Sequence, residues 1–307
     1  MTTSASASST PAVATRSSFE RRAYFGHHKC ATGWISRILM EVCFRLGLSH
    51  DITHREEEFA DVPTLNDHAE RRNADVLLYT NAKIEHVRDL QFSAGFHVIR
   101  DPRDILVSAY FSHLHSHPTD EWPELVAHRN ALKSLSKEEG LRREMDFSAE
   151  EFEDLHDWDY TRDDILELKL ETLSPAPFEG FLEVMDFLDM LDDSYTEGVE
   201  RTVKSAGLTV NRLLYKGRHV LPSGNEAPTI RTWPSIPKET LRSILEAKSF
   251  EKLSGGREKG NEDVTSHFRK GVPGDWVNHF TPALKREFKA RFNDVLLETG
   301  YEEDADW

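Results

Sequence analysis

Cysteine is nearly missing: Cys30 and Cys43 are the only two in 307 residues, and no CxxC spacing pairs them. Neither a zinc knuckle nor a disulfide framework can be built from so few thiols, and a reducing, cytoplasmic setting is the expectation. Long apolar runs are missing too, because Arg, Glu or Asp breaks every stretch short of the roughly 20 residues that a membrane-crossing helix needs. Positive charge is in deficit. Against 54 Asp and Glu stand 38 Lys and Arg, a formal net charge of -16, which repels a nucleic-acid backbone at long range and leaves no nucleic-acid partner to expect. There is no internal repeat, no heptad run and no GxxxxGK[ST] loop, so Walker-type nucleotide chemistry lacks its signature.

What is present is a core. Hydrophobic residues make up 38% of the chain, with 17 Phe and 6 Trp, enough for one large domain or two small ones. Residues 1–20 are Ser, Thr and Ala with little apolar content and read as a disordered tail, an organelle-targeting leader being the rival reading. From Arg22 a short apolar run leads into WISRILMEVCFRLG, which puts Trp34, Ile38, Val42 and Leu46 on one helical face. Residues 74–81 and 95–102 read as further strands, and 104–116 as a helix. Such alternation predicts an α/β single domain, residues 21–307, with a central parallel β-sheet flanked by helices. The stretch 121–156 looks helical and polar, a short strand falls within 163–173, and 178–192 and 240–250 return to helix. Residues 215–237 are crowded with Pro and Gly and read as a loop or lid.

The acid is concentrated in residues 144–200, whereas 97–103 and 267–271 are net basic, so any anion must be held locally. GHHKCATGW (26–34) lies between a strand and a helix, where free backbone N–H groups and Lys29 make an anion cradle. RDPRDILVSAYFSH (100–113) again sets a strand end beside a helix start, with Arg100 and Ser108 able to share one phosphate. FRKGVPGDWVNHF (268–280) adds Arg269, Lys270 and the backbone of Gly271. A strand-helix turn, a helix-capping Arg-Asp pair and a basic surface turn are the plain structural readings of the three taken singly.

Taken together and in this order, the three resemble the soluble, PAPS-dependent sulfotransferases, with their KSGTTW, RNPKDVAVS and RKGxxGDWKNxF motifs. The resemblance runs from about residue 22 to about 298 and is weak through the acidic middle. It implies a P-loop-NTPase-like sulfotransferase fold, PAPS as co-substrate and PAP as product; no metal is expected, because the histidines of HLHSH (113–117) lack carboxylate or Cys partners at the helical spacing of zinc sites. It further implies that Lys29, Cys30, Ala31, Thr32, Gly33 and Trp34 form the 5′ side of the cofactor site, that Arg100 and Ser108 take the 3′-phosphate, and that Arg269, Lys270 and Gly271 close over it. Ser249 and Phe250 correspond to adenine contacts. The acceptor is a small molecule bearing a hydroxyl or an amine.

Departures stand beside the matches. Ala31 replaces a family glycine, and Leu170 stands where a tyrosine often lines the adenine site. Asn81 occupies the position of the histidine in KTHLP, and an amide cannot accept a proton at neutral pH. His27, His28, Glu85, His113 and His115 are the candidates for that proton, with His113 the choice because it follows Ser108 on a helix bordering the acceptor side. Lys29 is the other expected catalytic group, placed for the leaving oxygen. Trp122, Trp158, Tyr215 and Trp233 are available to wall an acceptor pocket. Of the family's short dimer motif only Thr281 matches, so that dimer is not expected, and monomer or dimer stays open. A noncatalytic PAP or PAPS binder and a nucleotide-dependent kinase are the rival functions.

Overall fold

The computed structural model describes residues 20–120, 122–192, 199–217 and 233–307. The expected tail, apart from Glu20, and most of the expected lid at 215–237 lie outside the described residues. Five parallel strands form one sheet: β1 Arg22–Gly26, β2 His50–Thr53, β3 Val76–Tyr79, β4 Ala94–Ile99 and β5 Ile165–Lys169, in the order β2-β3-β1-β4-β5. The central strand β1 is buried along its whole length, as a strand covered on both faces must be. Tyr24, Leu78, Phe96 and Val98 turn toward the helices Thr32–Leu46 and Pro177–Phe187. Ala23, Phe25, Leu77 and Tyr79 face the opposite layer with Trp158 and Ile165. The expected α/β architecture with a central parallel sheet is therefore present.

β2 has no counterpart in the sequence reading, because HDIT is short and half polar. Its buried Asp51 is tolerated because Arg72 and His68 bond the carboxylate at 2.7 and 2.9 Å. Helix Val199–Gly217 runs past the expected loop start at 215. Helix Pro102–Phe111 continues as a π-turn over Ser112–Ser116. Such widened turns re-aim side chains, and here His113 points inward.

Strand order reverses around β1: the chain first builds outward to β2 and β3, then crosses to β4 and β5. Ligands of open parallel sheets sit outside the carboxyl ends of the strands at such a reversal. The loops that leave β1 and β4 there are 27–31 and the segment starting at Arg100.

Candidate functional site

The first loop is tightly specified. A Cβ on Gly26 would lie 2.4 Å from the Tyr24 hydroxyl, so only glycine fits at the end of β1. Lys29 and Ala31 both take the left-handed backbone conformation, with φ of 65° and 61°. Ala31 is the N-cap of helix Thr32–Leu46 and offers no side-chain cap, and no acidic residue falls in the first turn. The helix therefore begins with a positive dipole end and no anionic side chain of its own to satisfy it. The Cys30 N–H turns back to the His27 carbonyl at 3.1 Å.

Arg100 fastens the second segment to the first by donating Nη1 to the Lys29 carbonyl at 3.1 Å. Arg103 faces away, bonded to Asp101 and stacked on Trp276 and Trp307 with its guanidinium carbon 4.1 and 4.6 Å from the ring centres. Asp104 ties in the third segment: its carboxylate accepts the backbone N–H groups of Gly274 at 2.6 Å and Trp276 at 2.9 Å. Asp275 then accepts Lys270 at 2.5 Å and Arg269 at 2.7 Å, and also His279 and Asn278. Burial alone would raise that carboxyl, but these donors hold it well below the ordinary carboxylate range. Gly271, with φ of 70°, lies under Phe250, whose ring a Cβ would meet at 2.5 Å. Neither Asp104 nor Asp275 was singled out in the sequence. Their signal was present, an Asp two residues after each basic loop's proline or glycine, but acids do not announce which backbone they will bind.

These segments line one cleft of about 1630 Å³. Of the expected cofactor residues, Lys29, Ala31, Thr32, Gly33, Trp34, Arg100, Ser108, Ser249, Phe250, Arg269, Lys270 and Gly271 all face it. Cys30 does not: it is fully buried beneath the loop, packed with Ile99 and Ile105, and burial pushes its thiol up to about 12. The Lys29 ammonium is lowered to about 7, first by burial and then by the positive charge of Arg100, with Arg269 adding to it against Glu144. Trp34 is steered by a bond from Nε1 to the Lys248 carbonyl at 3.0 Å and by edge contact with Phe181. The Ser249 hydroxyl accepts the Lys252 N–H at the start of the short helix Phe250–Leu253.

Residues 231–300 match the family model described as the sulfotransferase domain. The likeness to that family model is confined to this segment. The matched stretch contains Ser249, Phe250 and the Arg269–Gly271 loop, and the two earlier loops lie outside it. A mouse sulfotransferase, SULT7A1, solved in complex with PAP, is similar at 14% identity over 94% of this chain and 87% of its own, with a TM-score of 0.49. A sulfotransferase from Alicyclobacillus acidocaldarius is similar at 14% identity over 66% of this chain and 95% of its own, with a TM-score of 0.30. No curated protein matches the sequence. Among the described residues no helix is long and apolar enough to cross a membrane.

Around these loops, the candidate proton acceptors separate sharply. His113, the expected choice, is fully buried and does not itself line the cleft, lying behind His28, His117 and Trp122, which do. The inward π-turn that holds it explains why helical spacing misplaced it. His27 is buried against His97, Glu85 and His115 do not line the cleft, and the Asn81 amide donates to the His54 carbonyl. His28 does line it. Its Nε2 lies 3.0 Å from Nε2 of His113, whose Nδ1 lies 2.8 Å from Glu144, and the other oxygen of Glu144 takes His128 at 2.8 Å. Burial raises the Glu144 carboxyl, yet the bonds from His113 and His128 outweigh it and hold it at about 2. An ionised Glu144 takes the His113 Nδ1 proton, leaving His113 Nε2 bare to accept from His28 Nε2–H. Hydrogen-bond logic thus assigns a His28 whose Nδ1 carries the free lone pair.

His113, His128 and Glu144 also lie close enough for their donor atoms to surround a metal ion, as do Glu262, Asp275 and His279. Both groups are already tied together by their own hydrogen bonds. Of the four aromatic residues expected at the acceptor wall, Trp122 alone lines the cleft. Trp158 is buried with Nε1 on Glu167, Tyr215 packs on Phe44, and Trp233 lies over Gly207.

Proposed function

We propose that the protein transfers the sulfuryl group of PAPS to a hydroxyl or amine of a small-molecule acceptor and releases PAP. One observation carries this reading. Three segments, the last more than 160 residues beyond the second, bring Lys29, Arg100, Arg269 and Lys270 to one cleft beside an uncapped helix start, with Lys29 driven down to about 7 by its burial and its cationic neighbours. A polyanion relieves that repulsion. The sulfotransferase match over residues 231–300 supports assigning the anion as PAPS. Lys29, Thr32, Gly33 and the backbone of Ala31 then hold the 5′ side, with Cys30 as buried support. Trp34, Ser249 and Phe250 border the adenine, and Arg100 and Ser108 take the 3′-phosphate under Arg269, Lys270 and Gly271. Residues 21–307 act as one domain in this reading.

Bound PAPS supplies an activated sulfuryl group, and transfer breaks its S–O bond to the phosphate as a new bond forms from sulfur to the acceptor atom. Lys29 stabilises the charge left on the phosphate oxygen. The acceptor proton passes to Nδ1 of His28, and His113 is a positioning residue that fixes the tautomer, with Glu144 balancing the imidazolium.

Calorimetric titration of the full chain with PAP, without added metal, tests the reading. Micromolar binding that Arg100→Ala abolishes is the expected outcome, and tighter binding of ATP with Mg²⁺ would shift the assignment to a kinase. Tight PAP binding with no transfer to any acceptor would leave a noncatalytic binder. Given an acceptor, Lys29→Ala lowers turnover by about 100-fold or more, the range for a lost transition-state donor.

A further inference from the structure

The cleft is lined by charges of both signs. Lys29, Arg100, Arg269 and Lys270 are among its cations. Past Asn81, after β3, carboxylates outnumber the cations Arg55 and Lys83: Glu56, Glu57 and Glu58 come from a 3₁₀ turn, and Glu150, Glu151 and Asp154 from helix Ala149–His156. Glu150 is paired with Lys83 at 2.5 Å. Glu151 differs. Its Oε2 is shut from solvent and has no hydrogen-bond partner, although the side chain borders the cleft. A carboxylate with one oxygen out of solvent and unpartnered is held at a cost, which a donor reaching the cleft-facing part of the same group would offset.

We infer that the acceptor carries an ammonium group, which docks on Glu151 and Asp154 while the atom to be sulfated lies toward Lys29 and His28. The word acceptor rests on the function proposed above; the cation preference rests on the acidic wall alone. The two carboxyls are three residues apart on one helix and so share a face; burial raises both to about 7, with neighbouring carboxylates adding to the shift and Lys83 opposing it at Asp154. A donor with several N–H groups suits them better than a bare metal ion. Among the described residues no set of three ligand atoms at metal-binding separation includes Glu151 or Asp154. Trp122, on the same cleft, offers a ring for an organic body.

Matched pairs of probes test this on the full chain, with and without PAP: tyramine against 4-ethylphenol, and 5-aminopentan-1-ol against 1-pentanol, with calcium chloride as a separate titrant. In calorimetry the ammonium member of each pair is expected to bind at least about tenfold tighter. Glu151→Gln with Asp154→Asn should bring the pairs to within about twofold, with Asp154→Asn alone intermediate and thermal melts reporting that the variants are folded. Equal binding within the pairs, no binding of either amine, a preference that survives the double variant, or calcium binding tighter than the amines would each overturn the inference. Absence of PAP binding with the amine preference intact would instead overturn the sulfotransferase reading and leave the cationic site standing.

Discussion

Lys29 is the residue on which the cleft's electrostatics turn. Free, its ammonium titrates at about 7, because burial and Arg100 disfavour the charge. A bound polyanion favours the charge and raises that value, so binding is strongest below about pH 7 and weakens as pH rises toward the bound value. Between the two, binding takes up a proton. Titrating PAP at pH 8 in buffers of different ionisation enthalpy should show net uptake in the parent protein and none in Lys29→Ala. Ala31 makes a separate prediction. Its φ of 61° costs a residue with a Cβ about 1–2 kcal/mol, part of which glycine returns in chain entropy. Ala31→Gly should raise stability by about 0.5–1 kcal/mol in urea unfolding. The loops holding these residues were legible in the sequence because each is contiguous and ends a strand. The His28–His113–Glu144 chain was not, since its members come from one loop, a π-turn and a separate helix, and nothing in a linear spacing marks a buried bond between them.

Three elements are pinned by single carboxylates. Glu144, on helix Lys137–Phe147, holds the π-turn through His113, helix Pro123–Leu132 through His128, and the Ser148 hydroxyl that follows its own helix. Removing that charge from a fully buried network should cost about 3–5 kcal/mol, so Glu144→Gln is expected to lower the urea midpoint and to free the His28 ring. Asp104 performs the same service between helix Pro102–Phe111 and the 274–276 backbone. Asp104→Ala should leave the sheet intact by circular dichroism while weakening PAP binding by about tenfold or more, since two charge-assisted bonds hold the loop that carries Arg269 and Lys270. Helices and central strands were readable because their apolar periodicity is strong. β2 escaped because one of its four residues, Asp51, is made burial-tolerant only by partners on helix Leu65–Arg71 and just beyond it.

Across the whole molecule, opposed carboxylates set the response to pH. Glu151 and Asp154 are raised to about 7 from unperturbed values of 4.5 and 3.8. The stability linked to them is complete below their unfolded values and is lost as pH rises through about 7. Glu144 runs the other way: held at about 2, it contributes above 4.5 and is lost as pH falls toward 2. The contribution of these three groups to the melting temperature should therefore peak at about pH 4–4.5, and Glu151→Gln with Asp154→Asn should flatten the decline from about pH 4.5 to 7 while sparing the acid limb. The parallel sheet and its helices were legible from composition and alternation. The meeting of cations and carboxylates in one cleft was not, because a net charge of -16 says nothing about where sheet topology gathers each sign.

The bond from Asp104 to Gly274 spans 170 positions, and it has a consequence for a chain still leaving the ribosome. Lys29 and Arg100 emerge first and hold only part of the cation cluster, and Arg269 and Lys270 arrive 169 and 170 residues after Arg100. Until the late loop docks on Asp104, a polyanion would meet only part of the cation cluster. A polyanion that stabilises this protein would thus act on finished chains and pass over truncated ones, so that ligand supply during synthesis would reward completion of translation rather than its onset.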